Sequence, residues 1–380
     1  MVDAGRLRDT CLELVSIPSP TGDTVAVTER FGELLTDAGM TVDLIRDFPG
    51  TPTLVARLAG SRAGPRLVLC GHLDTVPIPH DPPRVENGRV YGRGAADMKG
   101  ALSSAAEVVR MLRATGYQFP GELIIVGIGL HEAPSGRGED LVHLLRDLGF
   151  RADGAIVCEL GGGGRLPTAH MGSATFEITV SRPGVPTHEL QTPAGTPHPL
   201  LAAGRVLDAI AARSMQLAAI EHPLVGAETY FVGEVHGGDF YNRFPSSCRL
   251  VGTRRWAPST SFQAVEEDFR LLLSGPARET GCRVDLDLRK VRDSYQIDPS
   301  HELVRALLAG YLEACGEPLE VVGSKIVADG AIWAAEGIAA VYYGPTGSGA
   351  HADVEYVEVY EMVRATRVYM STLRHYWRDT

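Results

Sequence analysis

The sequence predicts an α/β protein in two parts. One is a discontinuous domain with a largely parallel, mixed sheet between helices; the other is a ferredoxin-like α+β domain inserted into it. Three observations lead there. Short apolar runs at residues 66–73, 123–129 and 155–159 alternate with helical periodicity at 99–114 and 140–148, the strand–helix alternation of a parallel sheet. Between residues 173 and 290 the order becomes β-α-β-β-α-β, the ferredoxin-like arrangement. After residue 291 the α/β pattern resumes, so the expected boundaries are 1–172, 173–290 and 291–380.

In chain order, residues 3–15 and 22–39 carry apolar residues at helical spacing, with Ser19-Pro20-Thr21-Gly22 as the break between them. Short strands are expected at 41–45, 53–58 and 66–73, and the Pro- and Gly-rich segment 81–94 reads as loop. A helix (99–114), a buried strand (123–129), a helix (140–148) and a strand (155–159) follow, then four glycines at 161–164. The inserted part reads as strand 175–180, helix 199–213, strands 230–235 and 248–254, helix 261–273 and strand 283–288. Helix 301–315, a helix after Asp329, strand 339–343 and helix 360–376 complete the chain.

Composition narrows the function. Of 380 residues 44% are hydrophobic and 22% charged, an ordinary globular balance, and 380 residues suit two domains. A net charge of −11 argues against nucleic acid or an anionic membrane as partner. The six cysteines show no Cys-x-x-Cys spacing, which excludes zinc-ribbon, thioredoxin and disulfide-framework readings. The first twenty residues lack a signal-like apolar core and no run of eighteen apolar residues exists, so a cytoplasmic protein without a membrane span is expected.

Potential metal ligands recur just after the expected strands. His72 and Asp74 follow the run at 66–73, and residues two apart on a strand share a face. An imidazole beside a carboxylate suits a metal ligand held in one tautomer. Asp97 lies in a Gly-bounded turn before a helix, His131 and Glu132 follow the second buried strand, Glu159 ends the third, and His351 sits in Gly344-Pro-Thr-Gly-Ser-Gly-Ala-His351. Binding sites in α/β sheets form outside the carboxyl ends of the strands, so these residues can converge. Imidazoles and carboxylates in these numbers suit a pair of zinc ions sharing one carboxylate.

His72-x-Asp74, Gly92-Arg-Gly-Ala-Ala-Asp97-Met-Lys-Gly100, the acidic position at 131–132, Glu159 and Gly-Ala-His351 together resemble the co-catalytic zinc amidohydrolases. That family includes acetylornithine deacetylase, succinyl-diaminopimelate desuccinylase and glutamate carboxypeptidase. The resemblance runs nearly the full length and makes the discontinuous part a catalytic domain and the insertion a lid and dimerisation domain. It implies that His72 and Glu159 hold one zinc, that Glu132 and His351 hold the other, that Asp97 bridges, and that Asp74 orients His72. Cobalt or manganese would suit the same ligands. It further implies that His188 in Gly184-Val-Pro-Thr-His188 helps bind the reacting carbonyl, in dimeric members from the partner subunit. Asn242 and Arg255 would contact the substrate, Arg255 through a carboxylate for which a guanidinium fork is well shaped. The implied activity is hydrolysis of an N-acyl amino acid or small peptide with a free carboxylate, by a homodimer. Asp329-Gly330 resembles another family turn near the site, where a helix-capping Asp is the expectation.

The chain departs from the family at one point. Where Glu-Glu is usual, the first as general base and the second as ligand, it reads Leu130-His131-Glu132-Ala133-Pro134. In one register His131 replaces the base and Glu132 is the ligand; in the other Glu132 is the base and Ala133 replaces the ligand. The first is favoured by relatives that carry Glu-Glu-Ala/Val-Pro. A neutral imidazole can accept a proton at pH 7 and pass it on, although its reach is shorter than that of Glu. His131 as a further metal ligand is a third possibility. The substitution leaves open a paralogue that binds, forms or rearranges an amide without hydrolysing it. Other templates fail: there is no Gly-x-Ser-x-Gly elbow, no phosphate-binding loop, and position 135 is Ser where a His-Glu-x-x-His zinc site needs His.

Overall fold

The computed structural model describes residues 2–132, 134–159 and 161–378. The chain opens with α1 (Ala4–Val15) and α2 (Val25–Asp37). Asp3 caps α1 by accepting from Arg6 N at 3.0 Å, and Leu7, Cys11, Leu14 and Val15 form its buried face at helical spacing. Strands β1 (Thr41–Ile45), β2 (Thr53–Ala59) and β3 (Arg62–His72) follow, then β4 (Arg84–Glu86) and β5 (Arg89–Tyr91). After α3 (Gly100–Thr115) come β6 (Pro120–Ile128), the short helix α4 (Glu139–Val142) and β7 (Gly154–Val157).

The inserted segment contributes β8 (Gly172–Ser181), α5 (Pro199–Ala218), β9 (Thr229–Gly237), β10 (Ser247–Trp256), α6 (Phe262–Thr280) and β11 (Arg283–Arg292). The chain ends with α7 (Glu302–Cys315), α8 (Gly330–Ala335), β12 (Ala340–Tyr342), β13 (Gly347–Ser348), β14 (Tyr356–Glu358) and α9 (Val359–Arg378).

Two compact units result: Met1–Thr168 with Ile297–Gly323 and Ala328–Thr380, and Ala169–Gln296 with Ser324–Val327. The second unit takes in more chain than 173–290, because Tyr295 and Gln296 pair with His170 and Ala169, and Met171 N donates to Ser324 O at 3.2 Å.

In the first unit a six-stranded sheet has the order β1-β2-β6-β3-β7-β12. The three pairings from β6 to β12 are parallel, and β1 and β2 join the other edge antiparallel. Leu67, Val68, Leu69 and Cys70 of β3 are all fully buried, as a strand covered on both faces requires. That is why it appears in sequence as an apolar run rather than an alternation. Gly71 precedes the first site residue. A Cβ there would lie 2.6 Å from Met98 Cε and 2.9 Å from Leu102 Cδ2, so the side chains of Met98 and Leu102 fill the space that glycine leaves at the strand end.

Segment 81–94 is not the expected loop. β4 and β5 form a hairpin around Asn87 and Gly88, both in the left-handed region (φ 50° and 76°), the requirement of a type I′ turn. β5 pairs onward with β14, which pairs with β13.

The second unit is a four-stranded antiparallel sheet of order β9-β10-β8-β11 with α5 and α6 between its strands in sequence, the ferredoxin-like topology. Alternate residues of β10 (Cys248, Leu250, Trp256) and β8 (Phe176, Ile178, Val180) meet Ala202, Val206, Val265 and Phe269 of the helices in its core. Among the described residues, no helix is long and apolar enough to cross a membrane.

Candidate metal centre

His72 ends β3 and is fully buried. Its Nδ1–H donates to the main-chain carbonyl of Asp74 at 2.9 Å. That bond fixes the tautomer and leaves Nε2 facing Asp97 Oδ1, 3.0 Å away. The Asp74 carboxylate does a second job. Its Oδ2 accepts from the amides of His131 (3.1 Å) and Glu132 (2.8 Å) and from Thr21 Oγ1 (2.7 Å), whereas Oδ1 stays 3.5 Å from His72 Nδ1. Asp74 thus holds His72 with its main chain and the 131–132 turn with its side chain.

Asp97 lies in the π turn Ala95–Lys99, where its backbone leaves helical angles (φ −131°, ψ 86°). The Ala96 and Asp97 amides donate to Glu355 Oε1 at 2.9 and 3.1 Å. Glu355 Oε2 in turn accepts from Arg93 at 2.8 Å, in a pair whose side chains are 1% and 5% exposed. Arg93 also donates to Ala352 O at 2.6 Å, so one buried ion pair ties the Asp97 turn to the loop that carries His351. Lys99, equally buried, donates to Leu14 O and Ile17 O, both at 3.0 Å, and closes the carbonyl end of α1.

His351 has left-handed backbone (φ 63°), and its Nε2 lies 3.1 Å from Glu132 Oε1 and 3.5 Å from Asp97 Oδ2. The two oxygens of Asp97 therefore face two different imidazoles. Glu159, just beyond β7, has its Oε1 buried without a hydrogen-bond partner among the described residues. Ligand atoms of His72, Asp97 and Glu132 lie within 4.8 Å of one another, as do those of His72, His131 and Glu159. An unpartnered buried carboxylate oxygen, a shared carboxylate and a tautomer-fixed imidazole fit a pair of divalent cations.

The electrostatics agree. Burial opposes the charge on His72, yet hydrogen bonds to Asp74 and Asp97 hold its pKa well above the ordinary imidazole value. The hydrogen bond to Asp97, with the Glu132 charge beside it, raises His351 to about 9. Burial pushes Glu159 up to about 7. Burial would raise Asp97 too, but hydrogen bonds from His351 and His72 hold it well below the carboxylate range.

His131 stacks on His72 with ring centroids 4.1 Å apart and planes 4° from parallel. Its Nδ1–H donates to Asp329 Oδ2 at 2.7 Å. Burial opposes the charged ring, and the Asp329 charge outweighs burial to bring its pKa to about 9. The expectation that Asp329 caps a helix needs correction. It precedes α8 but makes no capping bond with its side chain, which is 2% exposed and turned to His131. Ala133, on which the alternative register depends, lies outside the described residues.

The structure thus gathers His72, Asp74, Asp97, His131, Glu132, Glu159 and His351 in the first unit. The other three expected residues belong to the second. There the Asn242 side-chain amide lies 3.2 Å from Nε2 of the exposed His188, and Arg255 donates to Lys325 O at 3.0 Å. Sequence reasoning missed Glu355 and gave Arg93 no role. Neither has a local signal, since each matters only through a partner some 260 positions away.

The sequence model of Peptidase family M20/M25/M40 matches residues 68–375. The chain is 27% identical to N-formyl-4-amino-5-aminomethyl-2-methylpyrimidine deformylase of Halalkalibacterium halodurans, over 94% of this chain and 91% of that protein. It is 31% identical to succinyl-diaminopimelate desuccinylase of Methylobacterium nodulans, over 70% and 69% of the two chains. Among solved structures, the aminopeptidase PepT of Bacillus cereus superposes with a TM-score of 0.84 over 99% of both chains at 18% identity, a likeness of fold.

Proposed function

The chain belongs to peptidase family M20/M25/M40, whose members hydrolyse amide C–N bonds, and from that premise we propose a two-zinc hydrolase of N-acyl amino acids or small peptides with a free carboxylate. The observation that carries the reading is Asp97, whose two oxygens address His72 and His351 separately. In this assignment His72 and Glu159 would hold one ion, Glu132 and His351 the other, and Asp97 would be shared between them; cobalt or manganese would suit the same donors. When bound, the ions supply Lewis-acid polarisation of the carbonyl and lower the pKa of water.

Without metal the Asp329 charge holds His131 protonated, with a pKa of about 9; the charge of bound ions would disfavour the imidazolium, and the neutral ring would then take the proton of the attacking water and return it to the departing amine nitrogen, the task of the usual Glu. Asp74 fixes the first imidazole and the His131-Glu132 turn. His188 steadies the carbonyl oxygen, and Asn242 and Arg255 hold the substrate, the guanidinium on its carboxylate. The names of the deformylase and desuccinylase relatives support small acyl groups on an amine. We assign a homodimer through the second unit, whose edge strand β9 exposes Phe231 (63%) and Val235 (50%). Six unpaired cysteines fit the reducing cytoplasm.

A second reading, a paralogue that binds, forms or rearranges an amide, rests on His131 alone. Amine release from N-formyl, N-acetyl and N-succinyl amino acids and dipeptides, by zinc-loaded wild type and His131→Glu, separates the two. Turnover by wild type that slows in the variant supports hydrolysis with His131 as base. Turnover by the variant alone overturns it.

A further inference from the structure

We infer that Asp329 is the positioning residue of a His131–Asp329 dyad, and that the stacking of His131 on His72 keeps His131 off the ion that His72 holds. The inference rests on the hydrolase reading and deepens it. Parallel rings with centroids 4.1 Å apart cannot be coplanar, because edge-to-edge contact would hold them farther apart, so one lies above the other. An imidazole binds metal through a lone pair in its own ring plane. Two planes only 4° from parallel, one ring above the other, meet only far beyond bonding reach of either nitrogen, so one ion cannot take in-plane lone pairs from both rings. His131 belongs by distance to a candidate ligand group with His72 and Glu159, but its orientation rules it out as a ligand of that ion.

Asp329 settles what the ring does instead. Its carboxylate accepts from Nδ1–H at 2.7 Å and is 2% exposed, so the bond is shielded from competing water. In the neutral ring this bond fixes the proton on Nδ1 and leaves the lone pair on Nε2. In the reaction the water proton passes to Nε2 as the C–O bond forms. It leaves Nε2 for the amine nitrogen as the C–N bond breaks, and Asp329 keeps the ring oriented throughout. Two residues thus replace one: a ring with one free nitrogen and a buried carboxylate that selects which nitrogen it is.

The test uses zinc-loaded wild type, Asp329→Asn, Asp329→Glu, His131→Gln and the double variant Asp329→Asn/His131→Gln. Expected are a fall in kcat on the order of 10²–10⁴-fold for Asp329→Asn with KM and bound zinc unchanged, partial rescue in Asp329→Glu, and no further loss in the double variant over His131→Gln. Nitrogen-15 spectra of His-labelled protein, with His131 assigned from His131→Gln, should show Nδ1–H in wild type and a changed pattern in Asp329→Asn. This readout holds whether or not any substrate turns over. Failure of the hydrolase reading is separate: wild type inert on every substrate while the His131 spectrum still responds to Asp329. The inference is overturned if Asp329→Asn retains kcat within threefold of an active wild type, loses its zinc, or leaves the His131 spectrum unchanged.

Discussion

Replacing Glu355 by Gln separates charge from hydrogen bonding in the pair that anchors two ligand loops. The amide oxygen of Gln can still accept from the Ala96 and Asp97 amides, but it leaves the Arg93 guanidinium, 5% exposed, without a counter-charge. Breaking one side of a buried ion pair costs about 3–5 kcal/mol. Glu355→Ala additionally strands two amides at about 1–3 kcal/mol each, less than additively because all three bonds share one carboxylate. Urea denaturation of chelated protein should therefore place Glu355→Gln about 3 kcal/mol below wild type and Glu355→Ala lower still. Because Arg93 also holds Ala352, competition with a chromophoric chelator should show zinc affinity down about 10–100-fold in both. Arg93→Met/Glu355→Leu, which removes both charges, should recover part of the stability. Burial pushes the Glu355 pKa up against the pull of its amide donors and Arg93. If Glu355→Gln matches wild type within 1 kcal/mol, the carboxyl is protonated in the fold and the clamp owes nothing to charge.

Other outcomes follow from the same geometry. His72, and His131 and His351 at about 9, carry protons at pH 7, and Glu159 at about 7 is half protonated; zinc uptake should release roughly three to four protons by calorimetry in two buffers. Affinity should accordingly rise with pH from 7 upward; an affinity independent of pH would contradict this. In chelated protein, Glu159→Gln should be more stable than wild type at pH 8, on the order of 1–3 kcal/mol. The folded pKa lies above the unfolded one, so the penalty is complete above pH 7 and the gap should close as pH falls toward 4.5, which denaturation at several pH values checks. Phe269→Ala, fully buried against Phe176 and Tyr230, should cost about 3–5 kcal/mol in the second unit, seen as a lowered Tm with zinc content unchanged by elemental analysis.

What sequence could reveal follows the range of the interactions. The buried strand ending at His72 was legible because a strand covered on both faces needs an apolar run, and the π turn carrying Asp97 because glycines bracket it. The hairpin at 84–91 carried its own signal in Asn87-Gly88, which the surrounding prolines outweighed in a compositional reading. Glu355 could not be found this way, since its acceptor role depends on a guanidinium 262 positions off. Asp329 misled for a subtler reason: Asp before a helix is a good cap by local rules, but the imidazole of His131, brought from 198 positions away, is a stronger partner than a helix amide.

The ligands of the candidate centre differ in how water reaches them. His72 is sealed, whereas the His351 side chain is 50% exposed on a loop with left-handed backbone. Solvent and chelators can therefore compete for one ion position long before the other. With the ligands assigned as proposed, loss of metal should proceed in two kinetic phases, a fast one from the Glu132–His351 side and a slow one from the His72–Glu159 side. During purification, a singly loaded species would then persist, and the supply of the second ion rather than its intrinsic affinity would set the fraction of active protein.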